Sequence, residues 1–113
     1  MQERRVFERF EVDFPLRFKD LDKNTEGVGK IVNISASGGG MFLTAQELQP
    51  GTSLELWLLI PDKKEPFHTR GKVVWLNEVE SALYRVGVKF DSMDFLGISR
   101  ALRVNNSHFK DSR

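Results

Sequence analysis

Glu11-Val12-Asp13-Phe14-Pro15-Leu16-Arg17-Phe18-Lys19-Asp20 sets Val12, Phe14, Leu16 and Phe18 at every second position, with Asp13, Arg17 and Lys19 between them. Successive side chains of an extended chain point to opposite faces, so this stretch reads as a strand with one buried face and one wet face. Pro15 falls on the wet face and cannot donate a backbone hydrogen bond, which suits an edge strand or an early strand position.

The same period recurs on both sides. A polar loop over 21–26 leads to a second strand over 27–35, which alternates less cleanly because Ile31 shares a face with Asn33 and Ser35. A short strand over 41–44 follows the glycines at 38–40. Gln49-Pro50-Gly51-Thr52 is a turn signal, and Leu54, Leu56, Leu58 and Ile60 then line one face of a strand ending at Pro61. Residues 67–78 read as a long strand containing Gly71, Val73 and Trp75. In 82–90, Tyr84, Val86, Val88 and Phe90 alternate with Arg85, Gly87 and Lys89. Six strands at short intervals, with no crossover helices to permit parallel pairing, predict an all-β antiparallel barrel or sandwich. The tail has a different period. Phe95, Ile98 and Leu102 recur at helical spacing, with Ser92 or Asp94 as N-cap and Asn105-Asn106 as a stop, which predicts a short C-terminal α-helix over 92–106. Gly97 within it costs about 1 kcal/mol relative to alanine.

Length and composition set the class. The 113 residues suffice for one core, so residues 1–113 are expected to form a single domain: an arm at 1–10, a barrel at 11–90, the helix at 92–106 and a tail at 107–113. There is no cysteine, hence no disulfide framework and no thiolate metal site. No apolar run approaches the ~18 residues of a membrane span. The N-terminal Met-Gln-Glu-Arg-Arg lacks the apolar segment of a secretory signal, so a soluble cytoplasmic protein is expected. Seventeen basic residues against sixteen acidic ones give a net charge of +1. A protein that tracks a nucleic-acid backbone concentrates positive charge, whereas residues 1–20 carry five basic and five acidic side chains. No nucleic-acid polymer is expected; an anion bound here is small and held by a few directed contacts.

Catalytic patterns are missing. His68 and His108 are forty residues apart, with no cysteine or paired carboxylate at metal-ligand spacing. No Gly-x-Ser-x-Gly elbow occurs, and the glycine run is not followed by Lys-Ser or Lys-Thr as in a phosphate-binding loop. The expectation is a protein that is not an enzyme and has no cofactor. Trp57 and Trp75 could stack on a base, but in such apolar runs they read first as core or partly exposed packing residues.

Two clusters remain. Asn33-Ile34-Ser35-Ala36-Ser37-Gly38-Gly39-Gly40 puts an amide and a hydroxyl two residues apart on one face, beside glycines that permit positive φ and close approach. Read alone, it is a hairpin turn made of ordinary turn formers. In Arg4-Arg5-Val6-Phe7-Glu8-Arg9, Arg5 and Arg9 share a side and could clamp an anion, since guanidinium grips phosphate or the O6/N7 edge of guanine bidentately. Read alone, this is a solvated arm pairing with Glu3, Glu8 and Glu11.

Together the two clusters resemble the signature of the PilZ domain, a bacterial receptor module for cyclic di-GMP. That family carries Arg-x-x-x-Arg before the first barrel strand and Asp/Asn-x-Ser-x-x-Gly between the second and third. Arg5-Val6-Phe7-Glu8-Arg9 and Asn33-Ile34-Ser35-Ala36-Ser37-Gly38 match these patterns in order. Gly71-Lys72-Val73-Val74-Trp75 and Val86-Gly87-Val88-Lys89-Phe90 are similar to the family's last two strands. The resemblance implies a six-stranded antiparallel β-barrel of split-barrel type with a short C-terminal helix. It also implies roles. Arg5 and Arg9 would grip phosphates and guanine edges, Asn33 and Ser35 would hydrogen-bond the ligand from the barrel, and Gly38 would keep the turn clear of the base. Arg4 resembles the basic residue of members that take up a stacked pair of ligands. The resemblance thus implies a cyclic di-GMP receptor whose arginine arm orders on binding and which signals to a partner protein in trans. Two other readings stand beside it: a PilZ-like interaction module without nucleotide binding, and a small β-barrel that binds single-stranded nucleic acid.

Overall fold

The computed structural model describes residues 9–35, 37–91, Arg100 and Arg103. Six strands make it up: β1 (Arg9–Asp20), β2 (Thr25–Ser35), β3 (Gly39–Thr44), β4 (Ser53–Leu58), β5 (Phe67–Glu80) and β6 (Leu83–Phe90). All pairings are antiparallel, and the order β1-β2-β3-β6-β5-β4 closes on itself through β1 and β4, giving a closed barrel. Closure leaves each strand two neighbours and removes the open edges on which sheets aggregate.

The alternation in β1 does what its pattern requires. Phe14, Leu16 and Phe18 are almost wholly buried, and they meet Ile31, Phe42, Leu54, Leu56, Leu58, Val73, Val86 and Val88 in one core. Burying a side chain of this size contributes about 1.5–3 kcal/mol. Pro15 is not on an edge strand. Pairing of β1 with β4 begins only at Leu16, so the missing N–H costs no bond on that side, and the Pro15 carbonyl still accepts from Leu59 N at 2.9 Å.

Two irregularities place the later site. In β2, Ile31 and Ile34 are both fully buried although three apart, which an unbroken strand forbids. The register with β3 shifts between Ile31 and Asn33, so an extra residue around Val32 reverses the parity and turns Asn33 away from the side Ile31 occupies. In β5 the register with β6 shifts between Val73 and Trp75. Val73 stays in the core, while Trp75 comes out to 36% exposure.

Strand ends differ from the pattern-based bounds where pairing extends them. β1 starts at Arg9 rather than at residue 11, because Arg9 pairs with Ser35 and Phe10 with Ile34. β3 takes in Gly39 and Gly40, which pair with Lys89 and Val88. The helix expected over 92–106 lies outside the described residues, as do the tail at 107–113 and most of the arm. From that C-terminal segment, Arg100 reaches the β4–β5 connection, donating from Nε and Nη2 to the Asp62 carboxylate at 2.7 and 2.9 Å and from Nη2 to the Glu65 carbonyl at 2.8 Å. Among the described residues no helix is long and apolar enough to cross a membrane.

Candidate functional site

The glycine run makes a depression in the barrel wall. Only Gly38 of the three has positive φ, at 100°, a value that residues with a Cβ rarely adopt. Its N–H donates to the Ser35 carbonyl at 3.0 Å and its carbonyl accepts from Phe90 N at 2.7 Å, so the turn is tied to the end of β2 on one side and to the end of β6 on the other. Gly39 and Gly40 then run along β6 without side chains. The result is an open pocket of about 150 Å³ lined by Arg9, Ser35, Ser37, Gly39, Gly40, Val74, Trp75, Val88 and Lys89.

Each wall has a separate origin. Arg9 stands opposite Ser35 in the β1–β2 register, so the second arginine of one motif and the serine of the other arrive at one place. The Ser35 hydroxyl lies 2.7 Å from that of Ser37 and accepts from Ser37 N at 3.1 Å, a local turn that holds both hydroxyls at the rim. Lys89 lies opposite Gly39. Trp75, brought out by the β5 irregularity, lies across Gly87, where an added Cβ would overlap the indole ring. Among the described residues neither Arg9 nor Lys89 has an ion-pair partner. The pocket thus combines two free cations, two hydroxyls, bare backbone and an indole.

Asn33 does not line the pocket, but its Oδ1 is buried with no hydrogen-bond partner among the described residues. A buried acceptor without a donor costs about 1–3 kcal/mol. Arg4 and Arg5 lie outside the described residues. Ser37 and Lys89 line the pocket without having been expected there, and Trp75, read first as a core or partly exposed packing residue with base stacking as the alternative, lines it too. Ser37 and Lys89 carry no distinguishing pattern, and strict alternation from Val73 would have turned Trp75 inward.

No residue set here holds a metal: among the described residues no group of three or more His, Asp or Glu side chains is suitably placed. His68 is outward, as its strand position predicts, and bonds Glu55 at 2.7 Å away from the pocket.

Comparison with known proteins bears on fold and family. The PilZ domain family model matches residues 3–102. No curated protein matches. Among solved structures, the PilZ domain with c-di-GMP of YcgR from Escherichia coli superposes with a TM-score of 0.70 at 15% identity, over 98% of this chain and 95% of that one. YcgR in complex with c-di-GMP, also from Escherichia coli, gives 0.67 at 19% identity, over 97% and 48%. The Bacillus subtilis inhibitor of motility MotI/DgrA gives 0.69 at 18% identity, over 98% and 54%. The chain therefore spans about half the length of MotI/DgrA and of that YcgR chain, and nearly all of the isolated YcgR domain. At these identities the likeness is one of fold. With the family model covering almost every residue, and the arginine of one motif seated beside the serine of the other, the chain belongs to the PilZ domain family.

Proposed function

We propose that this chain is a cyclic di-GMP receptor, and that Arg4, Arg5, Arg9, Asn33, Ser35 and Gly38 form its ligand site together with Ser37, Trp75 and Lys89. The observation that carries this reading is the convergence of Arg9, Ser35, Lys89 and Trp75 on one pocket. Guanidinium and ammonium groups suit phosphate oxygens, and an indole face suits a purine. A volume of about 150 Å³ is below the roughly 300–1,000 Å³ that encloses a drug-sized ligand. It therefore seats one part of the dinucleotide, and the rest lies over the barrel wall beneath the arm. The c-di-GMP bound by YcgR, whose domain shares this fold, is in keeping with the reading.

Binding then orders the arm. Arg4 and Arg5 are drawn to phosphates already held against Arg9, and the altered surface is what a partner protein in trans recognises. Titration of the purified protein with cyclic di-GMP, and separately with a single-stranded oligonucleotide, tests the assignment. Saturable binding of the dinucleotide alone is expected. Binding of neither makes this an interaction module, and preference for the oligonucleotide makes it a nucleic-acid binder.

A further inference from the structure

The exposed apolar side chains of the pocket come from one strand. In sheet order the pocket runs from Arg9 on β1 and Ser35 on β2, across Gly39 and Gly40 on β3 and Lys89 on β6, to Val74 and Trp75 on β5. β5 contributes no charged or hydroxyl side chain to the lining. Lys89, the polar residue nearest to β5 in this order, has its Nζ 4.0 Å from the position a Cβ on Gly38 would take. Its ammonium therefore lies at the turn between β2 and β3, and the β5 side of the pocket is left without a charge.

Val74 owes its place there to the β5 irregularity. Val73 pairs with Val88 and Trp75 with Gly87, so Val74 is the residue without a partner on β6. An extra residue of this kind puts two successive side chains on one side of the strand. Val73 is buried, whereas Val74 is 51% and Trp75 36% exposed. The indole lies over Gly87, where an added Cβ would overlap Cε2, Nε1 and Cδ2 of the ring. One ring face is thus against β6, the other is open, and Val74 stands beside it. An exposed valine is ordinary on a protein surface; this one is set apart by lining the pocket next to an aromatic shelf.

We infer, building on the cyclic di-GMP reading of this site, that Val74 is a specificity-determining contact that seats the C8 edge of a guanine stacked on Trp75. Guanine carries donors or acceptors at N1, N2, N3, O6 and N7, and around its rings only C8 bears a plain C–H. A polar ring atom turned toward Val74 would give up water and meet a methyl group, which is unfavourable. The C8–H edge gives up nothing there. With C8 at Val74, the opposite end of the purine, which holds N1, N2 and O6, points along the pocket toward Arg9, Ser35 and Lys89. The two successive outward residues of β5 then act together, Trp75 on the face of the base and Val74 on its edge.

The test is calorimetric titration of cyclic di-GMP and of its 8-bromo derivative into the full wild-type chain, Val74→Ala and Val74→Thr. Bromine takes the place of the C8 hydrogen and meets the Val74 methyl groups, so wild type should bind the derivative at least about tenfold more weakly than the parent. Val74→Ala opens room, and the ratio should fall to about threefold or less. The parent itself should bind Val74→Ala roughly 4- to 15-fold more weakly, according to whether the ligand covers one or both methyl groups. Val74→Thr keeps the branched outline and should keep the wild-type ratio. Any effect of bromine on the free ligand's own conformation is common to all variants and cancels between them. Melting temperatures should match, because the side chain is half exposed. Equal ratios in wild type and Val74→Ala, or unchanged parent affinity in Val74→Ala, would overturn the inference and leave the receptor reading standing. No binding of the parent by wild type would overturn that reading, and the role of Val74 with it.

Discussion

Arg9 and Ser35 stand directly opposite each other across β1 and β2, so residues 26 positions apart in the chain share one rung of the barrel. Ser35 is itself held by Ser37 and by the Gly38 turn, and that turn is fastened to Phe90. Backbone pairing thereby fixes where the Arg9 side chain leaves the barrel.

Trp75 forms the opposite wall of the same pocket, and its role is separable from that of the charges. Stacking of a base on an aromatic ring contributes about 1–3 kcal/mol. Trp75→Ala should therefore weaken cyclic di-GMP by roughly 5- to 150-fold, with some loss of thermal stability because Trp75 is only 36% exposed and packs on Gly87. Gly87→Ala should act on the same wall from beneath by forcing the indole to move. Calorimetric titration of both variants, beside their melting curves, checks this. Unchanged affinity in both would remove Trp75 from the site.

The Arg100–Asp62 pair gives a prediction about acid. The hydrogen bonds from Arg100 lower the Asp62 pKa from 3.8 to about 2, against an opposing effect of burial. A carboxylate whose folded pKa is depressed stabilises the fold above its unfolded pKa, and that contribution disappears as pH falls through the folded value. The melting temperature of wild type should exceed that of Asp62→Asn at neutral pH, and the difference should close between about pH 4 and pH 2. A difference that stays constant across this window would mean that the pair contributes nothing through its charge.

How far the site could be read from residues alone varies from strand to strand. β1 was legible because nothing interrupts its alternation, and the same holds for β4 and β6. In β2 the conflict between Ile31 and the Asn33–Ser35 face was visible, but its cause, a register shift against β3, depends on a neighbouring strand. For Trp75 the choice between core and partly exposed stayed open for the same reason. A shift between Val73 and Trp75 reverses its side, and no residue type announces it. Arg9 and Ser35 could be named from their motifs, whereas Ser37 and Lys89 are common surface residues that only the fold makes neighbours. The motifs therefore carried the chemistry, and the bulges decided which other side chains joined it.

Arg4 concerns stoichiometry. Two stacked dinucleotides concentrate four phosphate charges, and a further cation beside Arg5 offsets their repulsion. Wild type should bind two nucleotides per chain, and Arg4→Leu one. A wild-type stoichiometry of one, by calorimetry or native mass spectrometry, would discard this role for Arg4 while leaving the receptor assignment untouched.

Arm ordering has its own observable. Fixing a backbone costs about 1–2 kcal/mol per residue, and the segment before β1 offers only Val6 and Phe7 as apolar anchors. On the proposed reading, phosphates held at Arg9 and Lys89 would provide the attraction that offsets this cost. Amide hydrogen exchange over residues 4–8 should slow markedly on saturation with cyclic di-GMP, while the barrel strands change little. Equally slow exchange before ligand addition would show the arm to be prebuilt.

The most direct measurement is calorimetric titration of cyclic di-GMP into wild type, Arg9→Ala and the Arg5→Ala, Arg9→Ala double variant. Each guanidinium contact contributes about 1.5–3 kcal/mol, so Arg9→Ala should bind roughly 10- to 150-fold more weakly. The double variant should bind more weakly still, with unchanged melting temperature in the absence of ligand. Wild-type affinity in the double variant would contradict the account, because the rung shared by Arg9 and Ser35 would then have no part in holding the ligand.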